Sequence, residues 1–148
     1  MSRFALVSQL PLFDRLCGTD LASPPRGKAL AASLERELGR LLQTRNGLTR
    51  AQFLACEGSV LQYGLPDLQG LSPQVEADLQ QLAQVVGHAL ALFEPRLKSV
   101  HVQARHDPGD PVRARVSVSA SGMDGGPRWR VEFPLALDGQ DPGTAQAV

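Results

Sequence analysis

The sequence predicts an α+β domain of two layers: an antiparallel sheet of three strands or slightly more, with two main helices packed on one face. Three observations carry this. Two apolar stripes recur at helical spacing, three later segments alternate apolar and polar residues, and Gly- and Pro-rich breaks separate those segments. The chain's 148 residues suffice for one hydrophobic core and hardly for two.

Residues 1–27 read as an N-terminal arm and hinge. Leu10, Leu12, Phe13 and Leu16 make the arm apolar, and Ser23-Pro24-Pro25-Arg26-Gly27 separates it from the helical region beyond. A first helix is predicted over 28–43, because Leu30, Leu34, Leu38, Leu41 and Leu42 share one side while Glu35, Arg36 and Arg40 fill the other. Asn46-Gly47 after it accepts the left-handed conformation that ends helices. Residues 48–58 show no clear period. Ser59 to Asp67, an apolar run punctuated by Gly64 and Pro66, reads as a tightly packed turn.

The second helix is predicted over 73–93, with Ser72 as N-cap and Pro73 in the first helical position. Its stripe is Val75, Leu79, Leu82, Val86, Leu90 and Phe93, and Pro95 ends it by driving Glu94 out of the α region. The period then falls to two. Val100, Val102 and Ala104 form a first inward set, Val112, Ala114, Val116, Val118 and Ala120 a second, and Trp129, Val131, Phe133, Leu135 and Leu137 a third. Residues 106–111 and 122–127 are hairpin material, so the strands form an antiparallel meander. Residues 138–148 lack periodicity and are expected to be a flexible tail, leaving 28–137 as the domain proper.

Composition narrows the function. Lys plus Arg number 15 against 15 Asp plus Glu, so no excess positive charge points to a nucleic acid or an anionic membrane. No apolar run approaches the roughly 18 residues of a membrane span, and the short run Phe4 to Val7 makes no signal segment. Cys17 and Cys56 form no disulfide framework. A cytoplasmic protein is expected. His88, His101 and His106 are scattered, which argues against a metal, and no Gly-x-Ser-x-Gly elbow is present. Gly122, Gly125 and Gly126 lie between two strands and read as a hairpin, not a phosphate cradle. No cofactor is expected. Arg113, Arg115, Arg128 and Arg130 fall on the polar face of adjacent strands, where they either hold an acidic surface or are solvated.

Glu94-Pro95-Arg96 differs in kind. Two residues apart on an extended segment, its carboxylate and guanidinium point the same way. They either satisfy each other and nearby backbone, or are presented together to a partner as a bidentate-capable pair.

Phe93-Glu94-Pro95-Arg96-Leu97, taken in order with Leu12-Phe13-Asp14-Arg15-Leu16, Leu41-Leu42-Gln43-Thr44-Arg45 and Ser59-Val60-Leu61-Gln62-Tyr63-Gly64-Leu65-Pro66-Asp67, resembles the TssE family. These are baseplate subunits of the bacterial type VI secretion system, within the phage baseplate wedge group historically labelled "lysozyme-like". Gln43 departs from the Asn common there. The resemblance spans roughly residues 10–137 and omits 48–57. It implies a cytoplasmic structural subunit at a membrane-docked baseplate, lying beside TssF and TssG and helping to start polymerisation of the TssB/TssC sheath. It also implies that Glu94, Pro95 and Arg96 serve docking. Leu10, Leu12, Phe13 and Leu16 are too many apolar side chains to leave in water, and the hinge separates them from the helical core, so they are expected to be buried against a neighbouring wedge subunit. The historical label supplies the alternative, a muramidase-like peptidoglycan hydrolase with Glu94 as general acid. Such chemistry usually requires a second carboxylate about 5–10 Å away, which the sequence does not nominate.

Overall fold

The computed structural model describes residues 28–122, 128–137 and 146–147. The arm with Leu12, Phe13 and Leu16, the 123–127 connection and most of the 138–148 tail lie outside the described residues. The chain divides into two compact units, Met1–Leu38 and Gly39–Val148. The fold is α+β. Its elements are α1 (Lys28–Gln43), α2 (Arg50–Ala55), a 3-10 turn (Val60–Gln62), α3 (Glu76–Phe93), β1 (Leu97–Asp107), β2 (Asp110–Gly122), β3 (Trp129–Ala136) and β4 (Gln146–Ala147).

Of the first unit, Lys28–Leu38 is described, and it carries the expected stripe: Leu34 and Leu38 are buried, Leu30 half-buried and Arg36 exposed. The second unit begins in the last turn of α1, where Leu41 and Leu42 are buried. That helix does not end on a left-handed residue at Asn46-Gly47, as the sequence suggests, since neither has a positive φ. The Thr44 side chain donates to the Arg40 carbonyl at 2.7 Å and Arg45 donates to the Leu42 carbonyl at 2.6 Å, so side chains satisfy the terminal carbonyls instead.

Asn46 has another task. Buried, it donates through Nδ2 to the Gln62 and Gly64 carbonyls at 2.9 and 3.2 Å and accepts from the Leu48 amide at 3.1 Å. A parallel bridge joins Arg45 to Leu65, with backbone bonds Leu65 to Thr44 of 2.8 Å and Asn46 to Leu65 of 2.9 Å. Gly64 makes this approach possible. Its φ is +112°, and a Cβ there would lie 2.6 Å from the Thr44 carbonyl oxygen. The segment is thus well packed at Gly64, Leu65 and Pro66, but not throughout: Val60 and Leu61 are 79% and 94% exposed.

Helix α2 occupies part of the stretch without a clear period. Thr49 and Gln52 form a capping box, and Phe53 is fully buried with its ring edge-on to His88 of α3 at 5.2 Å. Helix α3 starts at Glu76, not residue 73. Ser72 serves a preceding turn, accepting from the Gln74 amide at 3.2 Å while its own amide donates to Asp78 at 2.9 Å. Val75 becomes the N-cap without a side-chain cap bond and is 46% exposed. The buried face is Leu79, Leu82, Val85, Val86, Ala89 and Leu90, and it lies against β1, where Gly87 faces Val102.

The sheet runs β1-β2-β3-β4, all neighbours antiparallel. Ala114, Val116, Val118 and Ala120 of β2 are fully buried, and Val131, Phe133 and Leu135 of β3 continue the apolar face. Two inward expectations fail. Val112 is 52% exposed near the first hairpin, and Val100 is 37% exposed because Ser99 and Val100 together oppose one residue of β2. This bulge, with Ser99 at φ +50°, puts Val100 out of phase with Val102. Gln146–Ala147 of the tail pair with Val131–Glu132 as β4.

Gly64→Ala is expected to destabilise the protein by on the order of 3 kcal/mol, combining a disfavoured φ with a clash against backbone. Urea denaturation checks this, and an unchanged midpoint would mean that the Thr44–Leu65 clamp yields.

Candidate functional site

The junction between α3 and β1 brings Glu94, Pro95 and Arg96 together. The Glu94 amide still donates to the Leu90 carbonyl at 2.9 Å, so Glu94 closes the helix, and its carbonyl accepts from the Leu97 amide at 3.3 Å as β1 begins. Pro95 cannot continue the helical ladder and restricts the residue before it. Arg96 Nε donates to Glu94 Oε1 at 2.6 Å and Arg96 Nη2 donates to Oε2 at 2.7 Å, a bidentate fork. Glu94 is 7% exposed and Arg96 5%, while Pro95 between them is exposed. Of the two sequence readings, mutual satisfaction is therefore realised in the free chain. Leu97, also buried, starts the strand, and Phe93 stacks edge-on with Tyr63 at 5.3 Å.

The outer face of the sheet gathers a second group of charges. Glu132 of β3 accepts from Arg105 at 3.2 Å and Arg130 at 3.0 Å, and lies 3.8 Å from Arg115. Arg130 Nε donates to Ser117 at 2.8 Å, covering that otherwise exposed hydroxyl position. Arg113 pairs with Asp110 at 3.1 Å. Buried Asp107 accepts from the Gly109 amide at 3.0 Å and from Arg115 at 3.2 Å, and these hydrogen bonds, the backbone one foremost, hold its carboxyl below the usual range. Glu132 lies on the same face as these arginines, and only the register reveals that three of them share it. Asn46 and the exposed Val60-Leu61 were likewise missed, Asn46 because a helix-ending Asn looks the same as a buried clamp.

An open cleft of about 510 Å³ lies between α2 and α3, lined by Arg50, Leu54, Asp67, Gln69, Gln81 and Val85 among others; Glu94 is not part of its wall. Among the described residues no His, Cys, Asp and Glu cluster suits a metal ion, and no helix is long and apolar enough to cross a membrane.

These features define a small α+β domain with a dehydrated ion pair at a helix-to-strand turn. Residues 28–123 match the family described as baseplate wedge protein gp25, and the chain belongs to that family. No curated protein matches it significantly. A protein of Geobacter sulfurreducens, provisionally labelled a tail lysozyme in its crystal structure, shares the fold with a TM-score of 0.52 at 17% identity, over 76% of this chain and 96% of that one. A chain of the baseplate complex from the type VI secretion system does so with a TM-score of 0.53 at 20% identity, over 78% and 95%.

Removing one partner of a buried pair leaves the other charged, dry and unpaired, which costs about 3–5 kcal/mol. Arg96→Ala is expected to lose that much stability in urea, and Glu94→Leu combined with Arg96→Met to recover most of it. Equal losses in both variants would mean that something other than the unpaired charge sets the cost.

Asp107 gives a pH dependence. Its depressed folded pKa contributes stability above the unfolded value of about 3.9, and this is lost as pH falls through the lower folded value. Asp107→Asn should therefore lower the urea midpoint at pH 7 and lower it less at pH 3; an equal decrease at both would count against the linkage.

Proposed function

We propose that this chain is a structural subunit of a contractile baseplate of the type VI secretion kind. In this reading it sits in the cytoplasm at the membrane-docked baseplate, packs in the wedge beside TssF and TssG, and helps to start the TssB/TssC sheath. The observation that carries the reading is the family match over residues 28–123, which includes the Glu94-Pro95-Arg96 junction. The fold shared with a type VI baseplate chain supports it.

The junction suits docking for a physical reason. Its charges have already lost their water in the free chain, so a partner approaching exposed Pro95 does not have to dehydrate them again. The fork fixes the direction in which the chain leaves α3, and with it the shape a partner meets. The apolar arm, with Leu12, Phe13 and Leu16, is the second contact, buried against a neighbouring wedge subunit. The sheet adds a third route to assembly, since β1 is an edge and β4 pairs with only Val131 and Glu132 of β3; a strand from another chain extends such an edge by backbone bonding.

The label of the Geobacter protein raises the peptidoglycan hydrolase reading with Glu94 as acid. Buried, with both carboxylate oxygens held by one guanidinium and outside the wall of the cleft, Glu94 is poorly placed to protonate a sugar oxygen.

One set of variants tests the proposal. Deleting residues 1–18, and separately the Glu94→Leu/Arg96→Met double substitution, should each weaken co-purification with TssF and TssG about tenfold or more and reduce the number of fluorescent sheaths in cells. The melting temperature should change little. Normal wedge assembly by the folded double variant would overturn the docking role of the junction. Release of glycan from peptidoglycan by the native protein, abolished by Glu94→Gln, would replace this reading with the enzymatic one.

A further inference from the structure

We infer that the outer face of the sheet, around Arg105, Arg115 and Arg130, is a second docking surface, and that its occupant is an acidic, carboxylate-bearing segment of a partner protein. The first reason is the register. Arg105 of β1 lies directly opposite Arg115 of β2, an arrangement in which like charges face each other across a ladder and destabilise it. On the same face, Ser117 pairs with Glu132 of β3 one row away and Ser119 with Arg130 two rows away. A surface needed only for solubility gains nothing from concentrating three guanidiniums in this way.

The second reason is the way the cluster is relieved. Glu132, with its side chain 13% exposed, receives Arg105 and Arg130 on Oε1, with Arg115 near Oε2. Asp107 takes Arg115 as well. Among the described residues, three guanidiniums meet two carboxylates in this cluster, which leaves one positive charge in excess. Each guanidinium has five N–H donors in a planar fork, and the bonds among the described residues use a minority of them. The side chains of Arg105, Arg115 and Arg130 are 57%, 39% and 46% exposed, so the unused donors face water. Glu132 thereby shows how a carboxylate binds on this face, and a second one from outside meets the same forks.

The third reason separates protein from nucleic acid. The guanidiniums converge on one point instead of following a phosphate track, and the described outward positions of β1 to β3 carry no Phe, Tyr or Trp on which bases stack. The net charge of 0 supplies no long-range attraction for a polyanion. This surface is also separate from the helix-to-strand junction: along an extended strand, Arg105 lies roughly 25–30 Å from Arg96.

The test uses the full chain and a fluorescein-labelled poly-glutamate peptide of about ten residues, followed by fluorescence anisotropy at low and at physiological salt. Saturable binding that weakens with salt is expected. Arg105→Ala combined with Arg130→Ala should weaken it about tenfold or more, while Arg36→Ala, an exposed arginine on α1, should leave it unchanged. Glu132→Gln, which removes the internal competitor, should tighten it about threefold. The far-UV circular dichroism of the arginine double variant establishes that it is folded. Absence of saturable binding by the native chain, an equal loss in Arg36→Ala, or unaltered binding by the folded double variant would each overturn the proposal. Tighter binding of a single-stranded oligonucleotide of the same charge would overturn it in favour of a nucleic-acid surface. None of these outcomes bears on wedge co-purification through the junction.

Discussion

A carboxylate and a guanidinium leave water together or not at all, and that constraint governs the turn at which the helical half of this domain becomes the sheet. Glu94 still completes the hydrogen-bonding of α3, Pro95 forbids another helical residue, and Arg96 must return to Glu94 within that short span. The fork can close only for a narrow range of backbone directions. Leu97 therefore leaves in a set direction, and β1 is laid against the helix that precedes it. An apolar turn at this point would be no less stable by area alone. What the ion pair adds is geometric selectivity, which suits a family whose members are parts of an assembly.

Much of this was legible because periodicity and proline act locally. The extent of α1 and the inward set Ala114, Val116, Val118 and Ala120 follow from spacing, and the end of α3 from Pro95. The errors have a common physical origin, in that each depends on a contact distant in sequence or on a change of phase. Asn46 reads as a helix terminator until Gln62 and Gly64 come within reach of its amide. Val100 obeys alternation on paper and violates it in the sheet, because one extra residue at the Ser99 bulge shifts the count. Ser72 is a sound cap by composition, yet Asp78 draws its backbone into an earlier turn.

The site was legible in identity but not in state. Residue types and spacing indicate that Glu94 and Arg96 point the same way; whether they meet each other or a partner is a question of burial, which no local pattern encodes. At 7% and 5% exposure they meet each other. For the sheet arginines the situation is reversed. The sequence shows their exposure clearly, whereas the shared carboxylate of Glu132 emerges only when β1, β2 and β3 are set in register.

These two charge arrangements differ in what they ask of a partner. The junction has already incurred its dehydration, so a protein docking there gains from shape and from apolar contact with Pro95, and the association should depend weakly on salt. The outer face retains hydrated donors, so docking there must exchange water for carboxylates and should be strongly screened. In the proposed docking roles, one contact would hold under most conditions and the other would respond to the ionic surroundings and to the charge of the neighbouring chain. That division follows from burial, since both arrangements are built from the same two kinds of side chain.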